Sequence, residues 1–528
     1  MTTNLQHFKF ARGILTALVL LLYLQETLNA QTPNKSEKPR IIVTADPELD
    51  DNNSLIRFLL YSTDMDIVGL VYASSGFHWK GDGKGTKWFV PGREYDRFQM
   101  DECPCESWRW ADDERFIHEV VEAYEKAFPN LKVHHTDYPT PEYLKSIIRY
   151  GNVEFDGDFS KDTPGSDLIK EFILDDKPGK LFITAWGGTS TIARALKSIE
   201  DHYKNTLQWS AIKEKIARKV VLLPSGDQDD TYAKYIKPHW PEIEYRQFSN
   251  SPNYGYGAQF NALPENAKLL TSEWMQENIS NKGLLGEQYR VWGDGKQMVK
   301  GDKVDYFGFE GYTDKQLKKM GYKVWMPVQP KGSWLGEGDN HTFMNMLGNG
   351  LRAFEDGTFG GWGGRTGPGE SAEIISFSGG GDADALASQL GNQDNSGKTE
   401  YPNFFPMAQH DFAARMHWSV TPKYKNANHE PVVEILGPLH TIANPGQKVP
   451  LFGKVTDPDG DKTMVKWWRF QVGTYPNQIQ ISHADTLHPM VEIPKDAKSG
   501  QTIHIILEAT DTGLPSLTRY QRIVLRVK

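Results

Sequence analysis

The sequence predicts an α/β fold, an open and mostly parallel sheet with helices on both faces, followed by an Ig-like β-sandwich. Apolar runs of strand type alternate with helix-like segments up to about Tyr424, which is typical of a parallel sheet. Short alternating runs separated by turn signals follow that residue. The chain has 528 residues, a length that exceeds what one hydrophobic core usually serves, and 38% of its residues are hydrophobic.

The first part of the chain is organised as strands followed by helices. Apolar runs predict strands at residues 40–44, 66–73, 180–184 and 219–223. Helical spacing predicts helices at residues 54–61, 116–128, 141–150 and 191–199. Ligands bind at the C-terminal ends of the strands in sheets of this kind, so the residues that follow each strand are the first candidates for a site.

The C-terminal part of the chain has a different pattern. Alternating apolar runs predict strands at residues 432–436, 449–455, 465–470, 503–509 and 519–527. Turn signals such as Asp457-Pro458-Asp459-Gly460 separate these runs, as in a small sandwich. We therefore predict a larger domain at residues 40–425 and a sandwich domain at residues 431–528.

The N-terminal segment has the features of a secretory signal peptide. Lys9 and Arg12 precede an apolar run at residues 14–24, and Ala30 offers a small residue before a cleavage point. The run is short for a transmembrane helix, although an uncleaved membrane anchor is the alternative. We predict a signal peptide at residues 1–30 and a secreted or periplasmic protein without stable membrane insertion.

The charge balance argues against nucleic acid as a partner. The chain has 59 Lys and Arg residues against 68 Asp and Glu residues, and its net charge is -9. An acidic chain binds phosphate groups poorly. We therefore predict no nucleic-acid partner.

Two cysteines, Cys103 and Cys105, flank a proline. A disulfide across so short a spacing would be strained, and no second pair of ligands lies at the spacing of a zinc site. We predict two free thiols in a surface insertion.

Carboxylates are concentrated immediately after the first predicted strand. Residues 44–51 read TADPELDD and include Asp46, Asp50 and Asp51. Like charges at this spacing repel unless a cation compensates them, and hard divalent cations such as calcium bind carboxylate and carbonyl oxygens. The segment therefore indicates a calcium- or magnesium-type site. An acidic turn that caps the next helix is the alternative.

This acidic segment, Asp46-Pro47-x-x-Asp50-Asp51, resembles the signature of nucleoside hydrolases. Residues 187–193 (GGTSTIA) and 337–340 (EGDN) resemble two further motifs of that family, in the same order. Residues 360–365 (GGWGGR) and 411–418 (DFAARMHW) resemble segments of a closer group, secreted bacterial cellulose-binding proteins. That group joins a nucleoside-hydrolase-like domain to a C-terminal sandwich, and the resemblance covers most of residues 40–528.

The resemblance implies a role for each matching residue. Asp46 would contact the ion and take a proton from the attacking water, and Asp51 would be the principal metal ligand. The Ser190 carbonyl and Asp339 would complete the ligands, whereas Asp50 would hydrogen-bond a furanose hydroxyl. Calcium (Ca2+) at such a site would bind two vicinal sugar hydroxyls and lower the pKa of a bound water.

The sequence departs from the nucleoside hydrolase pattern near the leaving group. A histidine often precedes the last ligand in that family, but this chain has Gly338 there. His341 lies two positions after Asp339 and is a candidate substrate-binding residue, although its place is not equivalent. These departures favour a furanoside or another glycoside that differs from a common nucleoside.

Three other residues are candidates for substrate binding. His78 follows the second predicted strand, where an active-site loop is expected. Trp362 and Arg365 lie in the glycine-rich residues 360–369, where the backbone can approach a ligand closely and tryptophan can stack on a sugar. A surface loop without a binding role is the alternative for this segment.

The sequence thus predicts a secreted, calcium-dependent hydrolase that cleaves an N- or O-glycosidic bond of a furanoside or related glycoside. Its partner would be a carbohydrate or nucleoside-like small molecule, or a polysaccharide. The alternative is a cellulose-binding accessory protein with an inactive hydrolase-like domain. Retention of the aspartates favours activity, because binding alone needs no carboxylate that activates water. The sequence leaves oligomerisation open.

Overall fold

The computed structural model of the protein describes residues 38–248, 251–259, 262–366 and 401–528. Pro39–Lys528 forms one compact unit. The predicted signal peptide at residues 1–30 lies outside the described residues, as does the end of the glycine-rich segment. No helix in the described part of the chain combines the length and the apolar composition needed to cross a membrane.

A sheet of six parallel strands lies at the centre of this unit, in the order β3-β2-β1-β4-β5-β6. The strands are β1 (Arg40–Ala45), β2 (Asp66–Tyr72), β3 (Ile148–Tyr150), β4 (Leu181–Ala185), β5 (Val220–Pro224) and β6 (Glu244–Tyr245). β1, β4 and β5 are buried at every position, as expected for strands covered on both faces. The strand order reverses direction between β1 and β4, which leaves a crevice at the C-terminal edge of the sheet.

Helices cover both faces of this sheet. The described α-helices are α1 (Leu49–Leu60), α2 (Glu94–Arg97), α3 (Phe116–His134), α4 (Pro141–Ser146), α5 (Pro164–Leu174), α6 (Ser190–Tyr203), α7 (Trp209–Lys219), α8 (Lys237–His239), α9 (Pro264–Ala267), α10 (Ser272–Met275), α11 (Gly283–Gln288), α12 (Asp314–Lys319), α13 (Asn340–Phe343) and α14 (Phe405–Trp418). Ile41 and Val43 of β1 pack in one core with α1 and α3, whereas Ile42 packs in another with α5 and α6. The predicted α/β sheet with helices on both faces is confirmed.

All four predicted helices have different bounds in the structure. Those predicted at residues 116–128 and 191–199 extend to His134 and Tyr203, and the other two differ where the fold and the site depend on them. The helix predicted at residues 141–150 ends at Ser146, and the chain continues into β3, which pairs with β2. The helix predicted at residues 54–61 begins at Leu49, so that Asp50 and Asp51 lie in its first turn. Carboxylates in a first turn are favourable because they face the positive end of the helix dipole.

The C-terminal part of the chain consists of small, mostly antiparallel sheets. Its strands are β7 (Val432–Ile435), β8 (His440–Ala443), β9 (Lys448–Pro450), β10 (Gly453–Thr456), β11 (Thr463–Phe470), β12 (Gln480–Ser482), β13 (Met490–Glu492), β14 (Thr502–Asp511) and β15 (Thr518–Val527). The sheets have the orders β10-β7, β11-β14-β15-β8 and β12-β13-β9. All three contribute to one buried core, so the predicted C-terminal β region is confirmed.

The largest of these C-terminal sheets is apolar on both faces. In β14, Ile505 and Leu507 point into the core of the sandwich, whereas Ile506 joins the large core that contains α1 and α3. Phe470 and Tyr520 of the same sheet join Ile506 there. The predicted boundary near residues 425–431 remains a prediction, because the strands beyond it share a core with the first part of the chain.

The prediction of free thiols at Cys103 and Cys105 is wrong, because the structure joins them in a disulfide. The chain turns at the intervening proline, and the two Cα atoms lie 4.3 Å apart. The sequence spacing does not reveal this turn.

Candidate metal centre

The loops that follow β1, β2 and β4 meet at the crevice in the sheet. The Ala73 N–H donates to the Ala45 carbonyl at 2.8 Å, and the Gly188 N–H donates to the Ser74 carbonyl at 2.9 Å. These hydrogen bonds join the three loops beyond the ends of their strands. Asp46, the first residue after β1, lies between them.

Asp46 is fully buried. Its Oδ2 accepts hydrogen bonds from the Ser75 hydroxyl at 2.5 Å and from His78 Nδ1–H at 3.0 Å. Its Oδ1 faces Gly187, where a Cβ would lie 2.7 Å away, and it has no hydrogen-bond partner among the described residues. A buried carboxylate oxygen without a donor is costly, which favours a cation beside it.

Two further aspartates lie in this buried space. Asp51 accepts the Asp46 N–H at 3.1 Å, and Asp339 Oδ2 is buried with no donor in the described chain. Burial, and then the charges of Asp339 and Asp46, raises the pKa of Asp51 well above its usual value. Burial, and then Asp50 and Asp46, raises the pKa of Asp339 in the same way. The carboxylates therefore repel one another at close range, and a shared cation would relieve this repulsion.

Asp50 is held by protein donors at both oxygens. Its Oδ1 accepts a hydrogen bond from the Tyr256 hydroxyl at 3.1 Å, and its Oδ2 accepts one from the Gly338 N–H at 3.1 Å. Burial raises the pKa of Asp50 to about 6. Asp50 thus connects the start of α1 to the loop that carries Asp339, and its predicted contact with a sugar hydroxyl remains a prediction.

Ser190 and His341 lie in backbone networks beside the aspartates. The Ser190 N–H donates to Asp229 Oδ2 at 2.9 Å. His341 Nδ1 hydrogen-bonds with the Gly338 carbonyl at 2.8 Å, and the Pro224 carbonyl also lies near its ring. Burial lowers the pKa of His341. The Ser190 carbonyl as a ligand and His341 as a substrate contact remain predictions.

The glycine-rich segment packs into the core beside the C-terminal strands. Trp362 is 1% exposed, and its ring lies edge-on to the Tyr520 ring, with 6.4 Å between the ring centroids. Its carbonyl accepts a hydrogen bond from the Tyr254 hydroxyl at 3.0 Å. Arg365 is half-buried, with its Cβ close to Gly360. The Trp362 ring is therefore buried among other side chains, and the sugar contacts predicted for Trp362 and Arg365 remain predictions.

Glu48 and Ser75 also lie at this centre, although the sequence motifs do not single them out. Glu48 Oε2 lies 4.0 Å from His78 Nδ1, and ligand atoms of Asp46, Glu48 and His78 lie within 4.8 Å of one another. Burial, and then the charges of Asp50 and Asp46, raises the pKa of Glu48 well above its usual value. The carboxylate of Glu48 inside the acidic segment was an available signal. Ser75 carries no such signal, because only the folded loop brings its hydroxyl to Asp46.

The donor set fits a hard divalent cation. Asp46, Asp51 and Asp339 offer carboxylate oxygens, and Glu48 adds another beside them. Calcium takes about six to eight oxygen ligands, from carboxylates, carbonyls and water. The unpartnered oxygens of Asp46 and Asp339 are consistent with that chemistry.

Comparisons with known structures identify the fold. A nucleoside hydrolase-related hypothetical protein from Saccharophagus degradans, associated with carbohydrate metabolism, superposes with a TM-score of 0.66. It is 23% identical, over 93% of this chain and 100% of its own. The type III effector protein XopQ complexed with adenosine diphosphate ribose has a TM-score of only 0.30, at 11% identity over 59% of this chain and 82% of its own. No curated protein sequence matches this chain.

Two family models match the sequence. The model of the cellulose-binding Sde182, nucleoside hydrolase-like domain, matches residues 40–366. The model of the cellulose-binding protein Sde0182, C-terminal domain, matches residues 448–527. Because the first model spans more than half of the chain, the protein belongs to the Sde182 family of cellulose-binding proteins with a nucleoside hydrolase-like domain.

Proposed function

We propose that this protein hydrolyses a glycosidic bond of a furanoside or related glycoside, with calcium bound among Asp46, Asp51 and Asp339. The observation that carries the proposal is the pair of buried oxygens, Asp46 Oδ1 and Asp339 Oδ2, that have no donor among the described residues. Asp46 follows β1 directly, at the edge where sheets of this kind bind ligands.

Asp46 is the residue that we assign to the reacting water. Its Oδ2 already accepts two hydrogen bonds, so Oδ1 is the atom left for both the cation and the attacking water. One lone pair of Oδ1 would face the cation, and the other would take a proton from water as it attacks the anomeric carbon. Asp51 and Asp339 would hold the cation together with Asp46, and the Ser190 carbonyl is the remaining ligand that we assign. When bound, calcium would supply positive charge that binds vicinal sugar hydroxyls and lowers the pKa of water.

The proposed ligand is a carbohydrate. The family description names cellulose binding, and the Saccharophagus protein is described as associated with carbohydrate metabolism. Both descriptions support a sugar ligand, and the cellulose-binding description supports an extracellular location for this chain. We assign Asp50 to the sugar side of the site, because its carboxylate lies beside Asp339, and the sugar contact predicted for His78 remains a prediction.

Metal analysis tests the first step of the proposal. We expect the native protein to retain calcium after dialysis and Asp51→Ala to lose it, since a ligand carboxylate is removed. Asp66→Ala is the matched control, because Asp66 is exposed at the opposite end of the sheet, where β2 begins. A native protein that binds no divalent ion would contradict the proposal.

A substrate screen tests the second step. Purified protein is incubated with p-nitrophenyl furanosides, nucleosides and plant polysaccharides, and product release is compared with that of Asp46→Asn. We expect the variant to lose activity by a factor of about 100 or more, since a general base contributes that much. Unchanged release by the variant would exclude Asp46 as the base.

A carbohydrate-binding protein without hydrolase activity is the second candidate. It is favoured by the leaving-group side of the centre, where position 338 has no side chain and His341 Nδ1 is hydrogen-bonded to the Gly338 carbonyl. Neither residue therefore has an acidic group that is free to protonate a leaving group. Retention on insoluble cellulose, without product from any substrate in the screen, would favour this candidate.

A further inference from the structure

His78 is fully buried and directs one ring nitrogen at Asp46. Nδ1 lies 3.0 Å from Asp46 Oδ2, and because a carboxylate oxygen only accepts, Nδ1 carries the hydrogen. The same oxygen accepts the Ser75 hydroxyl hydrogen. Ser75 Oγ accepts the backbone N–H groups of Phe77 at 2.9 Å and His78 at 3.1 Å, so its own hydrogen is left to point at Asp46.

We propose that His78 is a positioning residue of the metal centre, which with Ser75 holds Asp46 Oδ2 so that only Oδ1 is turned toward the cation. The inference rests on the proposed cation site. Two donors on one oxygen fix the plane of the carboxylate, and the missing side chain of Gly187 leaves room beside the other oxygen. Metal-binding carboxylates are commonly held by such hydrogen bonds, and loss of one costs about 10- to 100-fold in metal affinity.

Direct coordination by His78 is the alternative that must be separated from this role. The ligand atoms of Asp46, Glu48 and His78 lie close enough to share an ion. Coordination through Nδ1 would require this nitrogen to lose its hydrogen and its bond to Asp46. The other nitrogen, Nε2, is buried without a hydrogen-bond partner in the described chain.

Two substitutions distinguish the two ring nitrogens. An asparagine amide at this position places its nitrogen where Nδ1 lies, whereas a glutamine amide reaches the place of Nε2. Calorimetric titration of the full chain with calcium should show about 10- to 100-fold weaker binding in His78→Gln. We expect His78→Asn to bind calcium almost as tightly as the native chain does. Ser75→Ala should weaken calcium binding by about as much as His78→Gln does. His202→Gln, at an exposed histidine of α6, should bind as the native chain does.

Equal weakening by His78→Asn and His78→Gln would reduce His78 to a packing role and overturn the proposal. Native affinity in both variants would also overturn it. If the native chain binds no calcium, the cation site fails, and the positioning role fails with it. If the native chain binds calcium but the variants do not differ, only the positioning role fails.

Manganese serves as a spectroscopic probe for direct coordination, since it accepts the same oxygen ligands. Electron spin echo measurements on the Mn2+-loaded protein detect a nitrogen bonded to the ion. We expect no such nitrogen coupling in the native chain. A coupling that disappears in His78→Gln would show that the ring binds the ion itself, which contradicts a positioning role.

Discussion

Gly338 lies where a side chain would collide with the candidate metal centre. Its N–H donates to Asp50 Oδ2, and a Cβ built on it would lie 2.2 Å from the same oxygen. The backbone therefore approaches the carboxylate so closely that any side chain at position 338 would have to displace it. This contact gives a physical reason for the absence of the histidine that often precedes the last ligand in nucleoside hydrolases.

Gly338→Ala should disturb the metal centre, because Asp50 or the loop before Asp339 must move away from the new methyl group. We expect calcium affinity to fall at least about 10-fold, as for loss of a group that supports a ligand. Isothermal titration with calcium measures the effect. Gly348→Ala is the control, since its Cβ would meet no atom closer than 3.8 Å. Equal affinities in the two variants would contradict the close contact.

At the scale of residues, the sequence indicates the carboxylates but not their partners. Asp46, Asp50 and Asp51 stand together after a strand, so their spacing alone predicts a cluster. Asp339 is added to this cluster only by the resemblance of residues 337–340 to a nucleoside hydrolase motif. Ser75 could not be predicted, because its hydroxyl reaches Asp46 only through the course of the loop after β2.

At the scale of elements, helix α14 connects the first part of the chain to the C-terminal sheet through buried charges. Asp411 on this helix accepts a hydrogen bond from Arg415 Nε at 3.1 Å and another from Arg519 of β15. Arg415 also donates to the Leu60 carbonyl at 2.8 Å, at the end of α1. One carboxylate thus joins two arginines from different layers of the molecule.

Asp411→Ala should destabilise the protein by up to about 3–5 kcal/mol, because it leaves the buried Arg415 and Arg519 with Glu430 as their remaining shared carboxylate. The free energy of unfolding in urea measures the loss. Glu434→Ala breaks the exposed pair with Lys454 and should cost less than about 1 kcal/mol. A similar cost for both variants would show that the buried network contributes little.

The elements that the sequence predicts well are the long apolar strands, since β1, β4 and β5 are buried on both faces and read as continuous hydrophobic runs. β3 is not predicted, because it has only three residues and the helical spacing of α4 continues through them in the sequence. Its pairing with β2 is a tertiary contact, which local spacing does not reveal.

At the scale of the whole molecule, a histidine of the C-terminal sheet that packs against Phe359 of the first part of the chain makes stability depend on pH. His504 of β14 is buried, and Arg522 lies 3.1 Å from its Nδ1. Burial, and then the positive charge of Arg522, lowers the pKa of His504 to about 3. The folded protein therefore keeps this ring neutral where the unfolded chain would already bind a proton.

Stability should consequently fall as the pH drops below the ordinary histidine value of 6.5, and the loss accumulates toward a pH of about 3. One such group contributes at most about 1.4 kcal/mol per pH unit. Urea unfolding at about pH 7 and about pH 5 measures the difference. His504→Gln, which cannot be protonated, should make this difference smaller. An unchanged pH dependence in the variant would exclude His504 as its source.

Removal of residues 431–528 should prevent cooperative folding of the remainder. Phe404 packs against Phe470 and Tyr520, and Trp362 packs against Tyr520, so truncation exposes a large apolar surface. We expect the truncated chain to aggregate or to unfold without a sharp transition, as measured by circular dichroism on heating. A single cooperative transition in the fragment would show that residues 40–430 fold on their own.

The core shared by the two parts of the chain also has a consequence for synthesis. One core includes Ile41 of the first strand and Tyr520 of the last, so its packing is incomplete until almost the whole chain has left the ribosome. At a synthesis rate of roughly 5–20 residues per second, the early strands are made tens of seconds before the last residues that pack against them. Chaperones that shield exposed apolar segments should therefore matter more for this protein than for a protein whose domains fold one after another during synthesis.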